Sequence, residues 1–301
     1  MATARPSSLR VARRGVIVSV LLCGLVVAIG LGPDTGKVEA AGLFGGLRAP
    51  GEAGFIAGHR GDRSTAPENT MPALQKALDG PMGFVETDIQ LSRDKVPVLM
   101  HDTFVDRTTN GTGRVSDLTF RQLQALDAGA WYSPAFQKTR IPTLEALLSA
   151  LQATLATKHP KKAFLELKGF WTVDEARIVT DLVSAYDVGS LVIMTSFDTS
   201  TIDHVHEADP ALPVAIITST LPKDPVGFAR LYGAVGLITN HSAVEKDPWV
   251  VDRLHRAGLG IVLYTLNSKA AWSNALGLGV DGIITDKPNR LERWLVAASD
   301  R

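Results

Sequence analysis

From residue 55 onward the chain alternates between two hydrophobic rhythms. Short, largely apolar runs rich in β-branched residues recur at 55–57, 84–89, 163–167, 191–195, 214–217, 236–239, 260–265 and 282–285, each ending in polar residues. Between most of them the apolar positions take helical spacing, as at 71–78, 249–257 and 270–276. Thr70 and Pro72 suit the N-cap and first turn of the first of these helices. Strands without a polar face belong in a sheet covered on both sides, and strands alternating with helices run parallel. Eight such units close on themselves. The predicted fold class is therefore α/β, a (β/α)8 TIM barrel over residues 54–299.

One stretch breaks the rhythm. Residues 96–100 form a ninth strand-like run, separated from Leu91 only by Ser92-Arg93-Asp94-Lys95. Four residues cannot make a parallel crossover, so this run is expected to fold back as a hairpin on the second strand and deliver His101 to the barrel mouth. Residues 102–140 then form a small insertion after the second strand, ending before a helix that opens near Thr143. Within it, Thr119 and Gln122 have the spacing of a capping box. Beyond the strand-helix alternation no internal repeat is visible.

Ahead of the barrel, Arg5, Arg10, Arg13 and Arg14 precede an apolar run over 15–31, with no acid before Asp34. Val38-Glu39-Ala40-Ala41 then offers small residues where a signal peptidase cuts. Residues 1–40 read as an export signal, residues 41–53 as a glycine-rich spacer, and the protein as periplasmic or secreted. The apolar run is nearly long enough to span a bilayer, so a membrane-anchored form, touching lipid only through this leader, is the alternative. Arg13-Arg14 also fits twin-arginine export. Cys23, the single cysteine, lies inside the leader, which excludes a disulfide framework and a cysteine-based zinc site.

Composition is that of a globular chain, with 31 basic and 31 acidic residues. Cleavage after Ala40 removes five bases and two acids and leaves 26 against 29, a net charge of −3. No basic surplus is present to neutralise a nucleic-acid backbone, so no nucleic-acid partner is expected. Selectivity falls to a local site.

Barrels carry their chemistry at the carboxyl ends of strands. Here those ends are Gly58-His59-Arg60-Gly61, Glu86-Thr87-Asp88, His101-Asp102, Glu166-Leu167-Lys168 and Thr285-Asp286-Lys287-Pro288. Glu86 and Asp88 are two apart and share a strand face. Facing the interior, they need a cation to stay ionised, and Glu166 can add a third oxygen. Three carboxylates without cysteine suit one hard divalent ion, Ca²⁺ or Mg²⁺, with Mn²⁺ possible. The competing reading is a solvated strand end paired with Lys168 and Arg60. His59 and His101 can act as general base and general acid near neutral pH, which is what phosphodiester cleavage requires, and Arg60 can offset charge on the phosphate. His159, His204, His206 and His255 read as surface residues. Asp286 reads as a partner of Lys168 or a cap, and Trp131 as packing or pocket wall.

These motifs, with Pro67-Glu68-Asn69-Thr70, residues 107–113, Leu126-Asp127-Ala128-Gly129 and Tyr264-Thr265-Leu266-Asn267, resemble the glycerophosphodiester phosphodiesterases over residues 56–288. The resemblance implies a barrel with an insertion after its second strand and one divalent cation held by Glu86, Asp88 and Glu166. It implies His59 and His101 as the acid/base pair, Arg60 and Lys168 as phosphate ligands, and Glu68 and Asn69 in support. The implied substrates are glycerophosphodiesters, cleaved to an alcohol and glycerol 3-phosphate. Tyr264 stands where the family often has Trp, which leaves head-group choice open. A lysophospholipase D type of phosphodiesterase and a non-catalytic phosphodiester-binding protein are the alternatives.

Overall fold

The structure is a computed structural model that describes residues 1–2 and 39–299; the bulk of the expected leader lies outside the described residues. Residues 39–299 lie in one compact unit. Its strands are β1 (Phe55–Gly58), β2 (Phe84–Leu91), β3 (Pro97–Leu99), β4 (Lys162–Leu167), β5 (Val192–Ser196), β6 (Val214–Thr218), β7 (Gly236–Asn240), β8 (Gly260–Tyr264) and β9 (Gly282–Thr285). The parallel pairings run in chain order with β3 omitted, and β9 and β2 both pair with β1, closing an eight-stranded ring. β3 stands outside the ring, antiparallel to β2 with Ile89 opposite Leu99. The hairpin read from its short connection is present, and the architecture is a TIM barrel with one added strand.

Alternation along each strand divides two cores. On β2 and β4, Val85, Ile89, Leu165 and Leu167 face outward and pack against helices, in a cluster with Leu74, Leu147 and Val179. Phe84 and Phe164 point inward with Ile193, Ile217, Ile238 and Ile284. The insertion has its own small core of Val105, Val115 and Leu123 set against Val98 and Met100. Its helix Phe120–Ala125 starts with the reciprocal Thr119–Gln122 capping box, and Thr143 caps the helix Leu144–Ala153. Thr70 does occupy the N-cap of the helix Met71–Asp79, but its side chain does not cap. Its hydroxyl donates instead to the Pro67 carbonyl, which fixes the turn carrying Glu68 and Asn69.

The segment read as a spacer does more than connect. It begins within a one-turn helix, Ala40–Phe44, in which Ala40, Leu43 and Phe44 are buried under the barrel. Phe44 meets Phe55 at 5.3 Å, Phe55 meets Phe84 at 4.1 Å, and Phe84 stacks on Phe164 at 4.8 Å, so four rings seal the end of the barrel where the strands begin. Lys162 Nζ donates to the Leu43 carbonyl, and the Arg48 amide donates to the buried Asp281 carboxylate at 2.9 Å. Among the described residues no helix is long and apolar enough to cross a membrane.

Candidate active site

Inward positions that are aromatic at the strand starts become polar at the strand ends. Glu86 and Asp88 follow Phe84 on the inner face of β2, Glu166 follows Phe164 on β4, and His59 lies two beyond Ala57. Glu86, Asp88 and Glu166 each place a carboxylate oxygen within 4.8 Å of the others, all three buried. Burial, with the charges of Asp88 and Glu166, pushes the Glu86 carboxyl well above its usual range. Burial and Asp88 raise that of Glu166 as well. Asp88 goes the other way: against the penalty of burial, Arg60, Lys168, His101 and the Asn69 amide hold it ionised. Lys168 Nζ donates to Glu166 at 2.6 Å and stands 3.3 Å from Asp88. Three hard oxygens, still short of positive charge after Lys168 and Arg60, fit a divalent cation.

Arg60 is left-handed at φ 54, an uncommon state for a residue with a Cβ. Neighbours fix it there. Its amide donates to Glu86 at 2.9 Å, and its carbonyl accepts from the Asn69 amide at 3.1 Å. Gly61 follows at φ 83, where a Cβ would come within 2.5 Å of the Ala73 backbone, so the loop must be glycine there. The strained turn aims the guanidinium into the site, with Nη1 on Glu68 at 2.7 Å and Nε 3.2 Å from Asp88. Asn69, also left-handed, donates to Asp88 at 2.8 Å and accepts from Thr87 at 2.7 Å.

Each histidine is held by an aspartate. His59 Nδ1 lies 2.7 Å from Asp286 Oδ1, and His101 Nδ1 lies 2.7 Å from Asp102 Oδ1. A carboxylate can only accept, so each Nδ1 carries the proton and each Nε2 keeps its lone pair. Burial lowers both imidazoles below their ordinary pKa, partly opposed at His59 by the Asp286 hydrogen bond and at His101 by Asp88. The hairpin return is clamped by Gln90, whose amide donates to the carbonyls of Met100 at 2.9 Å and Asp102 at 2.7 Å, on either side of His101.

Both histidines, Arg60, Glu86, Glu166 and Lys168 line one cavity of about 170 Å³. The rest of its lining is mostly an apolar wall of Phe164, Phe197, Ile217, Ile238, Tyr264 and Ile284. Asp88, Glu68 and Asn69 stand behind the polar wall. The fold thus gathers every candidate residue around one pocket. The aspartate partners are the larger addition. Asp286 binds neither Lys168 nor a helix end but His59, and it accepts from Asn267 at 2.7 Å. Arg63 and Arg107, given no role from sequence, pair with Glu68 at 2.7 Å each. Trp131 stays outside the lining, its indole donating to Ala128. His204, His206 and His255 are half-buried rather than on the surface; His204 is bonded to the Trp171 carbonyl and His255 to Asp281.

Residues 59–290, which hold all of these motifs, match the Glycerophosphoryl diester phosphodiesterase family. The chain belongs to that family. A Bacillus subtilis relative is 35% identical over 241 residues, covering 78% of this chain and 95% of its own. A glycerophosphodiester phosphodiesterase of Caldanaerobacter subterraneus is 30% identical, covering 79% and 96%. Among solved structures, a glycerophosphodiester phosphodiesterase of Agrobacterium tumefaciens superposes with a TM-score of 0.70 at 26% identity, covering 80% of this chain and all of that one. An Oleispira antarctica phosphodiesterase, solved with its product sn-glycerol-3-phosphate, gives 0.74 at 24% identity over 80% of this chain and 96% of its own. Family membership makes the chain a phosphoric diester hydrolase, and the pocket at the strand ends is its candidate active site.

Proposed function

We propose that this phosphodiesterase hydrolyses glycerophosphodiesters to an alcohol and glycerol 3-phosphate, using His59 and His101 as acid and base beside one divalent cation. The observation that carries the reading is the two imidazoles, each with Nδ1 on an aspartate, lining one small cavity with three clustered carboxylates. Glu86, Asp88 and Glu166 would hold the cation, Ca²⁺, Mg²⁺ or Mn²⁺. A bound cation neutralises charge on the non-bridging oxygens and draws electrons from phosphorus. Arg60 and Lys168 line the same wall and bind the phosphate by charge-assisted hydrogen bonds. Glu68 and Asn69 hold Arg60 and Asp88 in place.

One imidazole Nε2 takes a proton from the nucleophile as the new P–O bond forms; water as nucleophile gives glycerol 3-phosphate directly, whereas the neighbouring glycerol hydroxyl gives a cyclic phosphate that water opens in a second step. The other imidazole, protonated, gives its proton to the leaving alkoxide as the old P–O bond breaks. Both histidines keep the orientation that puts Nε2 on the substrate, because each Asp fixes the Nδ1 tautomer. With substrate seated, the apolar wall keeps bulk water off the polar one.

The test is release of glycerol 3-phosphate from a panel of glycerophosphodiesters, with chelator and with each cation restored in turn. Turnover of glycerophosphocholine, lost with chelator and recovered with one of the three ions, is expected. Full activity in chelator would remove the cation from the proposal. Lysophosphatidylcholine belongs in the panel, read by release of choline and lysophosphatidic acid, because the apolar wall and the exposed Phe170 and Phe197 rings favour a second reading as a lysophospholipase D.

A further inference from the structure

Both aspartates that hold the histidines are themselves held, and the holding groups meet at one buried carboxylate. Glu68 Oε1 lies 2.7 Å from Arg107 Nη2 and 2.7 Å from Arg60 Nη1; Glu68 Oε2 lies 2.7 Å from Arg63 Nη2. Arg107 then reaches Asp102 with two prongs, Nε to Oδ2 at 2.6 Å and Nη2 to Oδ1 at 3.0 Å. Asp102 Oδ1 accepts from the His101 Nδ1–H at 2.7 Å. On the other side, Arg63 Nη1 stands 3.6 Å from Asp286, and Asn267 does the close holding there. The two arms are unequal: the one to His101 is a continuous chain of short contacts, and the one to His59 is loose at its middle link.

We propose that Arg107 is a positioning residue for His101, acting through Asp102 and itself fixed by Glu68. It lies in the insertion, not on the barrel, and its side chain is 44% exposed. A residue so placed would be expected to swing freely. Its five donors instead span two carboxylates at a planar fork geometry that a lysine cannot reproduce. The clamp has an electrostatic effect too. The Arg107 hydrogen bond holds the Asp102 carboxyl well below the usual carboxylate range, so Asp102 stays ionised as an acceptor for Nδ1. The insertion thereby becomes part of the catalytic apparatus: its loop supplies the strut that sets the ring plane of the hairpin histidine. The inference rests on His101 acting in the reaction, and the experiment separates the two.

Arg107→Ala is expected to lower kcat about 10–100-fold, the usual cost of losing a group that orients a catalytic one, with KM changed by less than about threefold. In an Asp102→Asn background the same substitution should cost less than about twofold, because its route to His101 is already cut. Guanidinium chloride at sub-denaturing concentration should restore part of the lost kcat in Arg107→Ala and none in Asp102→Asn. Thermal unfolding is read alongside, and if Arg107→Ala is unstable then Arg107→Gln replaces it. Wild-type kcat, a loss confined to KM, or full additivity with Asp102→Asn would each overturn the assignment. His101→Ala is the control: if it retains activity, the acid/base reading fails and the inference with it. If His101→Ala is inactive and Arg107→Ala is not impaired, only the inference fails.

Discussion

The two ends of the barrel interior are built from the same strands and have opposite physical characters. On β2, Phe84 at the floor is followed by Glu86 and Asp88 at the mouth; on β4, Phe164 is followed by Glu166. Each step of two residues is roughly 7 Å along the strand. Within that distance the interior passes from stacked phenyl rings to carboxylates crowded against one another. The floor gains free energy by excluding water from four rings. The mouth gives some back by burying like charges, and its chemistry depends on that concession. Substitutions at the two ends should therefore separate activity from stability.

The sharpest separation is at the histidines. His101→Ala or His59→Ala should lower kcat by about 10²–10⁴-fold while leaving thermal unfolding within roughly 2 °C, measured on the same purified samples. A histidine whose removal unfolds the barrel but spares turnover would erase the contrast. Next comes Glu86→Gln, which should remove most activity yet raise the unfolding temperature of the cation-free protein. The sign follows from its raised pKa: the folded state keeps a proton the unfolded state loses, so stability falls as pH climbs above the ordinary carboxylate value toward the raised one. Glutamine has no proton to lose. A destabilised Glu86→Gln in chelator would show that the carboxylate supports the fold rather than burdening it.

Phe44→Ala should do the reverse. Losing a buried ring costs about 3 kcal/mol. In a chain of this size that lowers the melting temperature by roughly 6–12 °C, and kcat of the folded protein should not change. The smallest effect is the pH profile. Burial lowers both imidazoles, so kcat/KM should rise with pH as the base loses its proton, with that limb below the ordinary histidine pKa, and fall as the acid loses its own. Activity that stays level from pH 5 to 9 would remove both histidines from proton transfer.

Much of this was legible from residues alone, and the gaps have physical causes. Strand periodicity put Glu86 and Asp88 on one face, and the four-residue connection forced β3 to return antiparallel, which is why His101 could be placed at the mouth. The ring order follows from eight alternating units. Pairings across distant chain were not legible: Asp286 lies 227 residues from the histidine it holds, and Asn267, its other partner, sits in a loop. Arg63 drew no notice and Arg107, though it opens one of the motifs behind the resemblance, drew no role, because surface-loop arginines ordinarily meet solvent. Half-burial of His204, His206 and His255 was missed for the converse reason: the first two stand two apart on one helix and the third alone on another, so they leave no helical period. The segment after Ala40 looked like a linker because of Gly42, Gly45 and Gly46, yet Gly45 ends a helix as its left-handed C-cap.

That short helix also moves the boundary of the domain. The family match begins at residue 59, but the packing that closes the barrel begins about twenty residues earlier, where Leu43 and Phe44 are buried against it and the Arg48 amide donates to Asp281. A gene fragment trimmed to the matched segment would yield an open tube, its phenylalanines wetted and available to stick to a neighbour. Anyone grafting this catalytic barrel onto another polypeptide should carry the stopper with it.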